Sequence, residues 1–85
     1  MQTAEIGQEI RTFLVDNFLF GRSEELRDDA PLLGDVIDST GVVELVVFLQ
    51  ERFEITVGDD EVTTENLGSV QNAVAFIEKK LVHKA

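Results

Sequence analysis

Asp38-Ser39-Thr40-Gly41-Val42-Val43-Glu44-Leu45-Val46-Val47-Phe48-Leu49-Gln50-Glu51-Arg52-Phe53 is the stretch on which the fold turns. Val42, Leu45, Val46, Leu49 and Phe53 recur at helical spacing, which puts them on one inward face of an α-helix. Asp38 and Ser39 stand just ahead of that stripe. Either side chain can accept a hydrogen bond from the unpaired N–H groups of a first helical turn, so the helix is expected to begin at one or the other. Val43 and Val47 lie four apart and off the stripe, flanked by Glu44 and Glu51. That pair has two readings: part of a broad apolar face in a small bundle, or an exposed patch whose acidic rim steers a basic partner.

Upstream, Ile6, Ile10, Phe13, Leu14 and Phe18 keep the same helical spacing, with Thr3 as a cap and Gly21 as a left-handed stop. Residues 19–37 then form a connection longer than most loops, containing the single proline, Pro31. A connection of that length in a small domain is usually functional or packed by its own side chains, and Leu26, Leu32, Leu33, Val36 and Ile37 are the candidates for that packing. Downstream, residues 54–57 alternate polar and apolar side chains. A lone strand cannot satisfy its own backbone, so an extended connection is expected there, followed by a short helical turn over Thr64 to Leu67. A last helix opens at the cap Ser69 and carries Val70, Val74, Ile77 and Leu81 inward, with Lys79, Lys80 and Lys84 toward its carboxy end, where the helix dipole favours cations. The sum is an all-α fold: a small antiparallel bundle of three to four helices with a long first loop, one domain over residues 1–85.

The chain has 85 residues, no cysteine and one histidine, His83, close to the carboxy end. Disulfides, thiolate catalysis and cysteine-held metals are excluded by inventory. The formal charge is −10, and residues 28–65 carry eleven carboxylates against Arg52 alone. Such a surface repels nucleic-acid phosphates and anionic lipid, so a basic protein partner is expected and neither nucleic acid nor membrane. The opening MQTAEIGQEI has no basic segment followed by an apolar run, and no window approaches the apolar length that spans a bilayer. The expectation is a cytoplasmic monomer. The acidic stretch Asp59 to Glu61 lacks the alternating oxygen ligands and central glycine of a calcium loop and reads as a solvated turn. Gly34 and Gly68 shape turns, and the six phenylalanines are packing residues.

With those elements in place, the segment Asp38-Ser39 followed by Val43-Glu44-Leu45-Val46 resembles the acyl carrier protein family. The resemblance extends over the first helix, the long loop with its leucine-glycine step, Phe53, the acidic Asp59-Asp60-Glu61 stretch and the final helix opening at Ser69-Val70. It implies that Ser39 carries a covalent 4′-phosphopantetheine derived from coenzyme A, with Asp38 recognised by the phosphopantetheinyl transferase. It further implies a non-enzymatic carrier of acyl or aminoacyl thioesters in fatty acid, polyketide or other specialised biosynthesis. Its partners would be an activating ligase and downstream synthases with basic docking patches. Asp35, Thr40, Val43, Glu44, Val47 and Glu51 are the candidate partner-binding residues. Thr40 and Gly41 stand where family members often have a leucine and an acidic residue. That difference removes an apolar anchor and a charge from the docking surface, and points to a dedicated pathway.

The residues themselves agree with an imported chemistry. A serine hydroxyl becomes a nucleophile only beside a base, and there is no lysine before Lys79 and no histidine but His83. A phosphodiester at a helix start is favoured by the dipole, while the neighbouring Asp35 and Asp38 oppose it. Two alternatives stay open: an aminoacyl or peptidyl carrier, and an unmodified acidic interaction module in which Ser39 is only a helix cap.

Overall fold

Helix α1 runs Thr3–Phe18, α2 Ser39–Phe53, α3 Thr64–Leu67 and α4 Val70–Val82, with a 3-10 turn at Asp59–Glu61. They belong to a computed structural model that describes residues 3–19, 26, 31–32 and 37–82, the side chain of Ser39 excepted. Among the described residues there are four α-helices and no strand, the small helical bundle that the periodicity predicts.

The apolar stripes meet as their spacing requires. Ile6, Ile10 and Leu14 of α1, Leu45, Leu49 and Phe53 of α2, Leu67 of α3, and Val70, Ala73, Phe76 and Ile77 of α4 form one buried cluster. Val42, Val46, Val74 and Leu81 sit half-buried at its edge. Removing these side chains from water is the main force holding the helices together, at about 0.8 kcal/mol per buried methylene. At Gly7 α1 faces α4, with Val74 Cγ2 at 3.6 Å from where a Cβ would stand, an ordinary packing distance.

Of the side chains expected to pack the long connection, Leu26, Leu32 and Ile37 are buried, as is Leu19 at its start, while Leu33, Val36, Gly21 and Gly34 fall outside the described residues. Polar ties add to the apolar ones: Arg11 Nη2 donates to the Leu26 carbonyl at 2.7 Å, and Leu32 N donates to the Gly68 carbonyl at 2.7 Å. Thr3 differs from its expected role. It lies inside α1 rather than ahead of it, and its hydroxyl donates to the Glu78 carboxylate on α4. The capping position lies ahead of the first helical residue, and Thr3 is already within the helix.

After α2 the chain turns at Glu54, whose left-handed φ of 54° ends the helix, its N–H still bonded to the Gln50 carbonyl. The extended residues that follow borrow the Gln50 side chain, whose Oε1 accepts from Val57 N at 2.9 Å. The acidic stretch is a 3-10 turn rather than a wholly solvated one. Asp59 and Asp60 are exposed, but Glu61 is half-buried and accepts from Gly58 N at 2.9 Å and from Lys80 Nζ at 2.7 Å. Those two donors hold the Glu61 carboxyl below the usual range, the backbone N–H contributing most.

Candidate functional site

The site is assembled at the start of α2. Asp38 is extended, with φ −87° and ψ −175°. Its Oδ1 accepts from Gly41 N at 2.7 Å and its carbonyl accepts from Val42 N at 3.0 Å. Asp38 therefore performs the capping that the sequence left open between two residues, and Ser39 is the first helical residue. Asp38 and Thr40, on either side of it, are exposed. The exposure expected of the Ser39 hydroxyl, and Asp35, lie outside the described side chains.

Gly41 is not on the surface. It is buried, and a Cβ added to it would stand 2.7 Å from Phe18 Cε1 and 3.0 Å from Ile37 Cγ2. The expectation of a charge missing from a docking surface is corrected at this position: the backbone faces inward, and Phe18 at the end of α1 occupies the space. Glycine is dictated here by close approach of a ring to the helix backbone, not by any need for a positive φ. A glycine in a first helical turn together with an aromatic at the end of the preceding helix was the available sequence signal. Ile37, the second contact, is bonded through its N–H to the Leu32 carbonyl at 2.9 Å.

Further along α2, Thr40, Val43, Glu44, Val47 and Glu51 are all exposed and follow one another at helical spacing on a single face. Val43 keeps 60% and Val47 44% of its surface open, which decides between the two readings of that pair: neither is core. Beside them a shallow groove of about 440 Å³ is lined by Phe13, Glu44, Val47, Phe48, Glu51 and Arg52. Its floor is the stack of Phe13 on Phe48, ring centroids 4.2 Å apart and 12° from parallel. Phe18 meets Phe13 edge-on at 5.9 Å and Phe53 meets Phe48 edge-on at 6.3 Å, so the rings line the seam between α1 and α2 as packing.

The lone cation of residues 28–65, which also lines this groove, is paired with a carboxylate of α1. Arg52 Nε donates to Glu9 Oε2 at 2.7 Å, joining α2 to α1. The guanidinium holds the Glu9 carboxyl below its usual range, and Glu9 in turn raises Arg52. Glu44 and Glu51 have no basic partner among the described residues. No group of side chains suited to a metal ion occurs among them either, nor any helix long and apolar enough to cross a membrane. A second recess of about 570 Å³ lies between α1 and α4, lined by residues of those two helices alone.

No family model matches the chain. It is 39% identical over 80 residues to an acyl carrier protein of Akkermansia muciniphila, covering 93% of this chain and 96% of that one. It is 36% identical over 64 residues to an acyl carrier protein of Buchnera aphidicola, covering 74% and 78%. A probable acyl carrier protein PigG of a Serratia species is 28% identical over 71 residues, 82% of either chain. Among solved structures, a holo acyl carrier protein from Nitrosomonas europaea superposes with a TM-score of 0.75 at 31% identity, over 98% of this chain and all of that one.

Proposed function

The chain belongs to the acyl carrier protein family, and from that premise we propose that Ser39 is the residue to which a phosphopantetheinyl transferase attaches 4′-phosphopantetheine. Members of the family are carriers rather than enzymes, and this chain's lack of a base for its serine is in keeping. The observation that carries the assignment is the division of labour at the start of α2. Asp38 does the capping, so the plain reading of Ser39 as a helix cap loses its support.

The residues present fit the group. A hydroxyl-bearing residue opens a helix at its positive end, between two exposed neighbours, which gives a bulky phosphodiester both room and a favourable dipole. In the transfer the serine oxygen bonds to phosphorus, the pyrophosphate link of coenzyme A breaks, adenosine bisphosphate leaves, and the hydroxyl proton passes to the transferase. When attached, the arm supplies a terminal thiol that holds acyl groups as thioesters, chemistry for which this cysteine-free chain has no group of its own. Asp38 is the acidic residue that the transferase reads.

Thr40, Val43, Glu44, Val47 and Glu51 form the surface on which the transferase, an activating ligase and downstream synthases dock in turn. The carboxylates steer a basic patch, and the two valines lose water on contact. So small an apolar area gives modest affinity, as a shuttle requires. Asp35 is assigned to the same surface on the sequence alone. The domain acts as a single carrier unit, and the exposed Thr40, where family members often have a leucine, favours a dedicated biosynthetic pathway over general fatty-acid synthesis.

The absence of cysteine makes the test direct. Incubation with coenzyme A and a broad-specificity transferase, followed by desalting, is expected to give one titratable thiol per chain where none existed, and none with Ser39→Ala. No thiol on the wild-type chain across several transferases would leave only the unmodified interaction module.

A further inference from the structure

We propose that Phe18 is a positioning residue for Ser39: its ring, seated against the bare backbone of Gly41, locks the first turn of α2 in the geometry at which the serine is modified. The inference rests on the assignment of Ser39 above and adds a residue from another helix to it. Phe18 comes from the last position of α1 and is not a neighbour of Ser39 in sequence.

Three supports converge on that turn. From α1, the Phe18 ring fills the notch at Gly41, so closely that a single methyl there would collide with it at 2.7 Å. From the long connection, Ile37 Cγ2 fills the other side of the same notch. Ile37 is fixed in turn by its N–H on the Leu32 carbonyl, and Leu32 by its N–H on the Gly68 carbonyl between α3 and α4. Inside the turn, the Asp38 carboxylate and carbonyl hold the N–H groups of Gly41 and Val42. A first helical turn standing alone frays, because its N–H groups have no partners from within the helix. Here it is clamped from outside by a side chain that makes no use of Ser39 itself. Phe18 is further braced by its edge-on contact with Phe13, which stacks on Phe48 of α2. The ring is thus positioned by the helix whose start it holds.

Placement of a reacting group matters more to chemistry than to docking: a shift of about 1 Å can cost about a hundredfold in rate. Val43, Glu44 and Val47, the proposed docking residues, face solvent rather than the notch. Loosening the lock is therefore expected to lower kcat of arm transfer and leave KM unchanged.

The experiment compares the wild type with Phe18→Leu, Gly41→Ala, the pair combined, and Ile77→Val, a core change in α4 far along the chain from the lock. Rates are taken at a temperature where circular dichroism finds every variant folded. Phe18→Leu and Gly41→Ala are each expected to lower kcat about tenfold with KM held within about twofold. The combined variant, in which the smaller residue makes room for the added methyl, should recover most of the loss, and Ile77→Val should load as wild type does. In the unmodified proteins, amide hydrogen exchange at Gly41 and Val42 should quicken in the two single variants and not in Ile77→Val. Wild-type kcat in both single variants, an equal fall in Ile77→Val, or unchanged exchange at Gly41 and Val42 would overturn the lock while leaving Ser39 as the attachment residue. If the wild type takes up no arm, the assignment of Ser39 fails and the positioning role falls with it.

Discussion

Two helices in this protein open on a serine in nearly the same local grammar, and they open into different surroundings. At α2 the cap is Asp38, whose carboxylate accepts from Gly41 N at 2.7 Å. Ser39 follows as the first helical residue, between exposed neighbours. At α4 the cap is Ser69 itself, its Oγ accepting from Asn72 N at 3.1 Å, with only 7% of the residue open to solvent and 2% of Val70 beside it. Capping chemistry alone does not separate the two serines. The separation comes from who does the capping and from the neighbours: Asp38 relieves Ser39 of that task and is exposed, as is Thr40, whereas Ser69 caps its own helix and is buried beside Val70.

Bulk at the two starts should break the symmetry most sharply. Ser69→Gln loses a cap and overfills a closed site, for an expected loss of about 2–4 kcal/mol, whereas Thr40→Gln at the exposed start should stay within about 0.5 kcal/mol. Urea unfolding of the two variants measures this, and similar losses would show that the openness of α2 has been misjudged. Asp38 offers a finer division between its two roles. Asp38→Ala should cost about 1 kcal/mol by removing the cap, and Asp38→Asn much less, because the amide oxygen still accepts from Gly41 N. If the transferase reads charge, both variants should load slowly; loading that follows stability instead would assign Asp38 to structure alone.

Smaller effects follow from the contrast in charge between the two ends of the molecule. Arg52 and Lys80 are committed to Glu9 and Glu61, which leaves Glu44 and Glu51 on α2 without a basic partner among the described residues. Glu44→Gln and Glu51→Gln should each weaken a basic partner enzyme by a few-fold, about 0.5–1 kcal/mol, and the difference should fade with added salt. An unchanged affinity at low salt would remove those carboxylates from the docking surface. The committed pairs should appear instead in acid. Glu9 and Glu61 are both held below their ordinary value near 4.5 in the folded chain. Their contribution is therefore present above that value and lost as pH falls beneath it through their folded values. Both pairs are exposed enough for water to screen them, so the loss should be small. A wild-type chain and a Glu9→Gln, Glu61→Gln variant should draw closer in thermal stability between about pH 6 and about pH 3. A gap that stays constant over that range would contradict the assignment.

Much of this was legible in the sequence because it is periodic. The stripes from Ile6 to Phe18, Val42 to Phe53 and Val70 to Leu81 point inward as their spacing requires, and Leu26, Leu32 and Ile37 of the long connection are buried as expected. The cap Ser69 and the short turn Thr64–Leu67 were also readable, each from local chemistry. The features that escaped depend on partners distant in the chain. Thr3 bonds to Glu78 and Glu61 to Lys80, and no local pattern announces an acceptor across the bundle. Gly41 was legible as a weak helix residue but not as a socket for Phe18, since periodicity says which side chains point inward and not which backbone a ring will touch. The candidate site follows the same division: the candidacy of Ser39 was carried by motif, the choice between core and surface for Val43 and Val47 needed their exposure, and the capping by Asp38 needed coordinates.

The most direct measurement is intact mass after incubation with coenzyme A and a phosphopantetheinyl transferase, run in parallel on the wild type, Ser39→Ala and Ser69→Ala. The expected result is one phosphopantetheine on the wild type and on Ser69→Ala, and none on Ser39→Ala. An arm gained by Ser39→Ala, or lost with Ser69→Ala while that protein remains folded, would contradict it.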